Sequence, residues 1–316
     1  MQFIALAAVA LAGVGVISLF ARDMRRARAR IAGNSQTLQT SFGIVEYARI
    51  GESAAIGDDP VILVAHGAGG GFDQGLDMTI GAAELGFQLI VPSRFGYLRS
   101  SMPANASPAS QADAFAELLE CLGVERVCVL AISAGGWSAV EFATRHSDRC
   151  LALVVLVPAQ VLPPGVANHG GLVARAMFRS DLLLWTAAKL MRLFPGMVGP
   201  MMLGTPASVL RSASAEERDR LQQLFDHLLP ISARTRGIEL DVKTAAAPPP
   251  LCLENITCPV LAISATDDQF GTAARAQAIV NAVSRGKAVI YPSGGHALVG
   301  RQIEVMNEVA SFLRGC

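Results

Sequence analysis

Residues 127–137 read Val-Cys-Val-Leu-Ala-Ile-Ser-Ala-Gly-Gly-Trp, an apolar run that ends in a serine among small neighbours. A nucleophilic serine needs a strained strand-to-helix turn that pushes its Oγ outward, and small neighbours are required because such a turn crowds the backbone. A helix starting after Ser133 would also aim backbone N–H groups, that of Ala134 first, at a developing oxyanion. The plainer reading, Ser133 as a helix N-cap after a strand, fits this fragment as well. A second fragment, 61–71, runs a strand into His66, Gly67, Ala68 and three glycines. A dinucleotide loop is a poor fit there, because the third glycine of G-x-G-x-x-G falls on Phe72 and no acidic residue follows the next strand at Val91-Pro92-Ser93. The glycines instead suit a loop that approaches a substrate carbonyl, with the Ala68 amide as a second oxyanion donor.

Two further fragments complete the set. Residues 259–268 form a strand candidate that ends in Asp267 and Asp268, and 288–296 a strand candidate followed by Gly-Gly-His296. Taken singly, a strand-end Asp is usually a turn residue and a lone His means little. Here they follow Ser133 in the order Ser, Asp, His, each just past the C-terminal end of a candidate parallel strand, where open α/β sheets build their sites. With these motifs the sequence resembles the α/β-hydrolase superfamily over roughly residues 43–164 and 248–316, most of all its capped, esterase- and lipase-like members with a helical lid after the sixth strand. The resemblance implies Ser133 as nucleophile, His296 as base and the amides of Ala68 and Ala134 as oxyanion hole. If Ala265 takes the place of the Gly in the family's G-x-x-D, the acid is Asp268; if Ser264 takes it, the acid is Asp267. Ala131 departs from the first Gly of G-x-S-x-G, and Ser93 stands where the family has an Asp before an Arg-Gly turn. A serine argues against haloalkane dehalogenases and epoxide hydrolases, whose covalent ester needs Asp there. The implied activity is hydrolysis of a carboxylic ester, a lipophilic one, through an acyl-enzyme, with no cofactor. Carbon–carbon, amide or lactone hydrolysis and acyl transfer are alternatives on the same fold, and a ligand-binding protein without turnover is an alternative of another class.

The elements that must hold these residues alternate. Strand candidates lie at 43–50, 61–65, 87–91, 127–132, 151–157, 259–264 and 287–291, most of them continuous apolar runs that suit strands buried on both faces of a parallel sheet. Helix-period stretches lie between them at 76–85, 109–122, 135–146, 272–284 and 301–313. From 158 to 258 there is helical pattern, at 172–178, 182–194 and 215–229, but no convincing strand. A structureless loop of that length is not credible. The expectation is a doubly wound, mostly parallel α/β sheet with an inserted helical cap: core 33–164 and 248–316, cap 165–247. Five methionines in the cap, Met177, Met191, Met197, Met201 and Met202, are expected to give it an adaptable apolar lining.

The chain of 316 residues carries 26 basic and 26 acidic residues, a balance that removes the field of a nucleic-acid binder. With 52% hydrophobic and only 16% charged residues it is no disordered regulator, and has apolar surface to spare. Residues 3–20 hold no charge, and 22–30 follow with five Arg and one Asp. As a helix the apolar run would reach about 27 Å, near the thickness of a hydrocarbon core. Met1 and Gln2 supply no positive n-region, so a retained single-pass membrane anchor over 1–32 is preferred to a cleaved signal peptide. The Arg cluster then places the catalytic body in the cytoplasm. The six cysteines show no C-x-x-C and are read as small buried residues of a reducing compartment. His146, His169 and His227 form no ligand pair, so no metal is expected.

Overall fold

The computed structural model describes residues 2–51, 60–159 and 176–316, with side chains from residue 13 onward. β1 (Gln36–Thr40) and β2 (Gly43–Ile50) form an antiparallel hairpin. With β3 (Ile62–Ala65), β4 (Leu89–Pro92), β5 (Val127–Ile132), β6 (Cys150–Leu156), β7 (Val260–Ala265) and β8 (Gly286–Tyr291) they make an eight-stranded sheet in the order β1-β2-β4-β3-β5-β6-β7-β8. β2 meets β4 antiparallel, and every pair from β4 to β8 is parallel. β1 is an addition to the seven expected strands. Gln-Thr-Leu-Gln-Thr carries one apolar residue, because a sheet edge leaves most of its side chains in solvent.

The helices are α1 (Gln2–Gly33), α2 (Phe72–Glu84), α3 (Pro108–Cys121) and α4 (Gly136–Arg145) before or within the first half of the sheet. Between β6 and β7 come α5 (Asp181–Leu193), α6 (Pro195–Leu203), α7 (Ala207–Ser212), α8 (Ala215–Asp226) and α9 (Thr235–Ala246), then α10 (Thr272–Ala282) and α11 (Gln302–Arg314) after it. The strands feed both faces alternately. Val129 and Ala131 of β5 pack with Phe115, Leu119, Phe142 and Ile279 of α3, α4 and α10. Cys128, Leu130 and Ile132 pack with Phe72, Val305, Val309 and Leu313 of α2 and α11. Each large side chain buried this way contributes about 1.5–3 kcal/mol, and β5, covered on both sides, carries only apolar residues.

Between β6 and β7 no strand occurs among the described residues, and α5 to α9 build a separate core from Leu184, Leu210, Leu221 and Phe225. Most of the expected helix at 172–178 lies outside the described residues. The methionines divide: Met177 and Met191 are buried in this core, whereas Met197 and Met201 face outward at 76% and 52% exposure, so no continuous methionine lining forms. Cys128, Cys150 and Cys258 are buried as expected, but Cys121, Cys252 and Cys316 are exposed.

At the N-terminus α1 is one 32-residue helix that passes through both the apolar run and the Arg cluster. Among the described residues no helix is long and apolar enough to cross a membrane. The side chains of residues 3–12, more than half of the expected span at 3–20, lie outside the described residues, so the anchor gains no support here. The Arg segment is also more than a charged block. Met24 and Ala27 bury into the cap core, Phe20 packs edge-on against Trp185 of α5, and Arg30 pairs with Asp73 of α2.

Candidate active site

β5 delivers Ser133 at the C-terminal edge of the sheet, in a tight turn (Ser133–Gly135) before α4. Ser133 has φ of 49°, in the left-handed region, an arrangement that costs a non-glycine residue about 1–3 kcal/mol. Gly135 explains the small neighbours: a Cβ there would stand 2.1 Å from the Ala65 carbonyl oxygen. Ser133 does not cap α4 with its side chain. Its Oγ lies 3.1 Å from His296 Nε2.

Asp268, on the turn after β7, sits 2.8 Å from His296 Nδ1 through Oδ2, with its side chain fully buried. A carboxylate only accepts, so Nδ1 carries the proton and Nε2 turns its lone pair to Ser133. Phe270 N donates to Asp268 Oδ1 at 2.8 Å, and Thr272 Oγ1 donates to Oδ2, which fixes the carboxylate. The neighbouring Asp267 points elsewhere. Its Oδ1 accepts from the amides of Gly294 and Gly295 at 3.0 and 2.8 Å and its Oδ2 from Ser293 Oγ at 2.9 Å, which ties down the loop that carries His296. Phe270 stacks edge-on against the His296 ring, and the cap reaches the loop through Thr205, whose Oγ1 accepts from Ala297 N at 3.3 Å.

The loop after β3 brings Ala68 to the same edge, exposed between buried neighbours. Within the described residues no hydrogen bond engages the amide of Ala68 or of Ala134, which leaves both free for a ligand. The sequence offered no hint of what holds this loop. His66 is buried and its pKa is pushed well below the usual value, first by burial and then by Arg94. It stays neutral, with Nδ1 on Gly67 O and Nε2 accepting from Arg94 N at 2.9 Å. Arg94 also donates to the carbonyls of His66 and Gly67 and forks onto Asp241 of the cap at 2.6 and 2.7 Å. Burial pushes the Tyr97 phenol above its usual pKa; its hydroxyl donates to Asp241 and accepts from Gly69 N. Fully buried Arg234 of the cap donates to Gly70 O at 2.5 Å and to Asp73. Asp241 lies 147 residues from Arg94 and Asp73 161 from Arg234, so no local pattern could have announced either pair.

The departure at Ser93 has a local answer. Ser93 Oγ donates to Glu46 of β2 at 3.0 Å and accepts from Phe72 N, so a fully buried glutamate supplies the carboxylate at this turn. An apolar cleft of about 550 Å³, lined by Leu76, Ile80, Leu224, Leu298 and Met306, opens beside the His296 loop, and neither Ser133 nor Asp268 lines it. Among the described residues no cluster of His, Cys, Asp and Glu is arranged to hold a metal ion.

Comparison with known proteins agrees with this architecture. A relative described as the uncharacterized hydrolase YcgS of Bacillus subtilis (strain 168) is 26% identical over 293 residues, 89% of this chain and 97% of its own length. The solved structure of an alpha/beta hydrolase fold protein from Nakamurella multipartita superposes with a TM-score of 0.69 at 25% identity, covering 89% of this chain and 99% of that one. That of a membrane phospholipase A, described as a novel bacterial virulence factor, superposes over 100% of this chain and 99% of its own with a TM-score of 0.64 at 20% identity. The family model described as alpha/beta hydrolase fold matches residues 60–300, well over half of the sequence, and the chain belongs to that family.

Proposed function

We propose that the protein is a serine hydrolase of carboxylic esters with a lipophilic acyl group. The observation that carries this reading is the linked set Ser133 Oγ, His296 and buried Asp268, at 3.1 and 2.8 Å, on a turn where Ser133 adopts a positive φ. In this reading His296 Nε2 takes the Ser133 proton as Oγ attacks the acyl carbon. The carbonyl π electrons move to oxygen, which the amides of Ala68 and Ala134 receive; losing one such donor costs about 3 kcal/mol. His296 then gives the proton to the departing alkoxide as the acyl–oxygen bond breaks. Water repeats the sequence with His296 as base, frees the acid and restores Ser133. Asp268 keeps the imidazole in the Nδ1–H tautomer and stabilises its charged form.

Support for a lipophilic ester comes from the phospholipase among the structures that share the fold. We further read residues 3–20 as a membrane anchor with the body on the cytoplasmic side. Its supports are the uncharged run itself and the exposure of Val14, Val16 and Ile17 among the described residues. A panel of p-nitrophenyl esters tests the activity. Butyrate is expected to exceed acetate about ten-fold in kcat/KM, from two added methylenes at about 0.8 kcal/mol each; a preference for acetate refutes the lipophilic substrate. Protease treatment of intact spheroplasts tests the topology, and cleavage of the body there refutes the cytoplasmic assignment.

A further inference from the structure

Where α1 lies against the cap, a second pocket of about 340 Å³ opens away from Ser133. Arg22, Arg26 and Arg30 of α1 and Lys189 and Arg192 of α5 line it, against two carboxylates, Asp23 and Asp226. The carboxylates are already engaged. Burial would raise the Asp23 pKa, but hydrogen bonds from Lys189, Trp185 and Arg22 outweigh it and hold it at about 2. Asp226 accepts from Gln222 Nε2 at 3.0 Å. Arg30 is bound to Asp73. Arg26 and Arg192 are exposed and, among the described residues, neither has a carboxylate in ion-pair reach.

Apolar surface borders these two free cations. Leu193 and Phe194, next to Arg192 at the end of its helix, are 68% and 53% exposed. Unpaired cations in a concave pocket beside a greasy rim match an amphiphile with an anionic head and hydrocarbon tails. We propose that this pocket binds the phosphate headgroup of an anionic phospholipid, with Arg26 and Arg192 on the phosphate and Leu193 and Phe194 against the acyl region. The proposal rests on the anchor reading for its source of lipid.

The test uses the full chain in non-ionic detergent, mixed with equal amounts of diether phosphatidylglycerol and diether phosphatidylcholine, neither of which an esterase can cleave. Lipid retained through gel filtration is counted by mass spectrometry. Phosphatidylglycerol is expected to exceed phosphatidylcholine about 30-fold, the ratio for two cations near an anionic surface. The Arg26→Gln, Arg192→Gln double variant is expected to lose that preference while its turnover of p-nitrophenyl butyrate is unchanged. Equal retention of the two lipids by the unsubstituted chain, or an undiminished preference in the variant, overturns the proposal. So does loss of the preference in excess inorganic phosphate, which would mark a site for free anions. The supporting readings stand apart from the ester and anchor readings: no turnover of any ester counts against the activity alone, and a chain that retains phosphatidylglycerol yet washes off membranes in carbonate supports the pocket and refutes the anchor.

Discussion

Replacing Asp268 by Asn removes one charge without changing the shape of the side chain. Its effect follows from the contacts. Phe270 N donates to Oδ1, so the amide oxygen must stay on that side and the NH₂ takes the Oδ2 place, facing His296 Nδ1. Thr272 Oγ1 can tolerate this, since Ser264 Oγ, 2.7 Å away, offers it another partner. His296 cannot. An NH₂ at Nδ1 drives the ring proton to Nε2, where it meets Ser133 Oγ and leaves no lone pair to take the serine proton. The transition-state imidazolium also loses its counter-charge. At an effective dielectric of about 20, unit charges about 4 Å apart attract by about 4 kcal/mol, or about 10³ in rate. The tautomer error raises the expected loss to about 10⁴ in kcat. Asp267→Asn keeps the Oδ1 that accepts from Gly294 and Gly295 and is expected to lose less than about ten-fold, being a loop support. The assay is p-nitrophenyl butyrate turnover, with thermal melting to show that both variants fold. A loss below ten-fold in Asp268→Asn, or a larger loss in Asp267→Asn, refutes the reasoning.

Three other perturbations follow from the same contacts. Gly135→Ala puts a Cβ 2.1 Å from the Ala65 carbonyl and is expected to destabilise by about 3 kcal/mol or more in urea unfolding; a variant as stable as the original shows the turn to be looser than described. Arg234→Met strips Gly70 O and Asp73 of a buried partner, which is expected to remove about 3–5 kcal/mol of stability, and unfolding within 1 kcal/mol of the original contradicts that role. Asp23, held at about 2 against 3.8 unfolded, gives stability that is present in full above about pH 4 and is lost as pH falls through about 2. The melting difference between the original chain and Asp23→Asn is therefore expected at pH 6 and to vanish near pH 2; a difference that persists there contradicts the assigned contacts.

The parts of the fold that could be read early are those with a dense local signal. Strands at 61–65, 127–132 and 259–264 show as largely apolar runs because helices cover both faces of the sheet; Ser133 and Asp268 show because each follows such a run, and His296 because its Gly-Gly-His loop follows the edge strand β8. What could not be read lacks a local pattern. β1 is an edge strand of mostly exposed polar residues. The Arg-rich end of α1 looks like a solvated charge block, yet Met24 and Ala27 sit at helical spacing within it and bury against the cap, while Arg30 finds Asp73 43 residues on. The choice between Asp267 and Asp268 also turns on geometry: both end the same strand, and only the turn decides which faces the imidazole and which holds the loop amides.

The central claim is that Ser133 is a nucleophile activated by His296. A fluorophosphonate labels such a serine by displacement at phosphorus, and tandem mass spectrometry locates the adduct. The account predicts one adduct per chain, on Ser133, abolished by His296→Ala in a protein that still melts cooperatively. An adduct on another residue, or ester turnover without any adduct on Ser133, would contradict it.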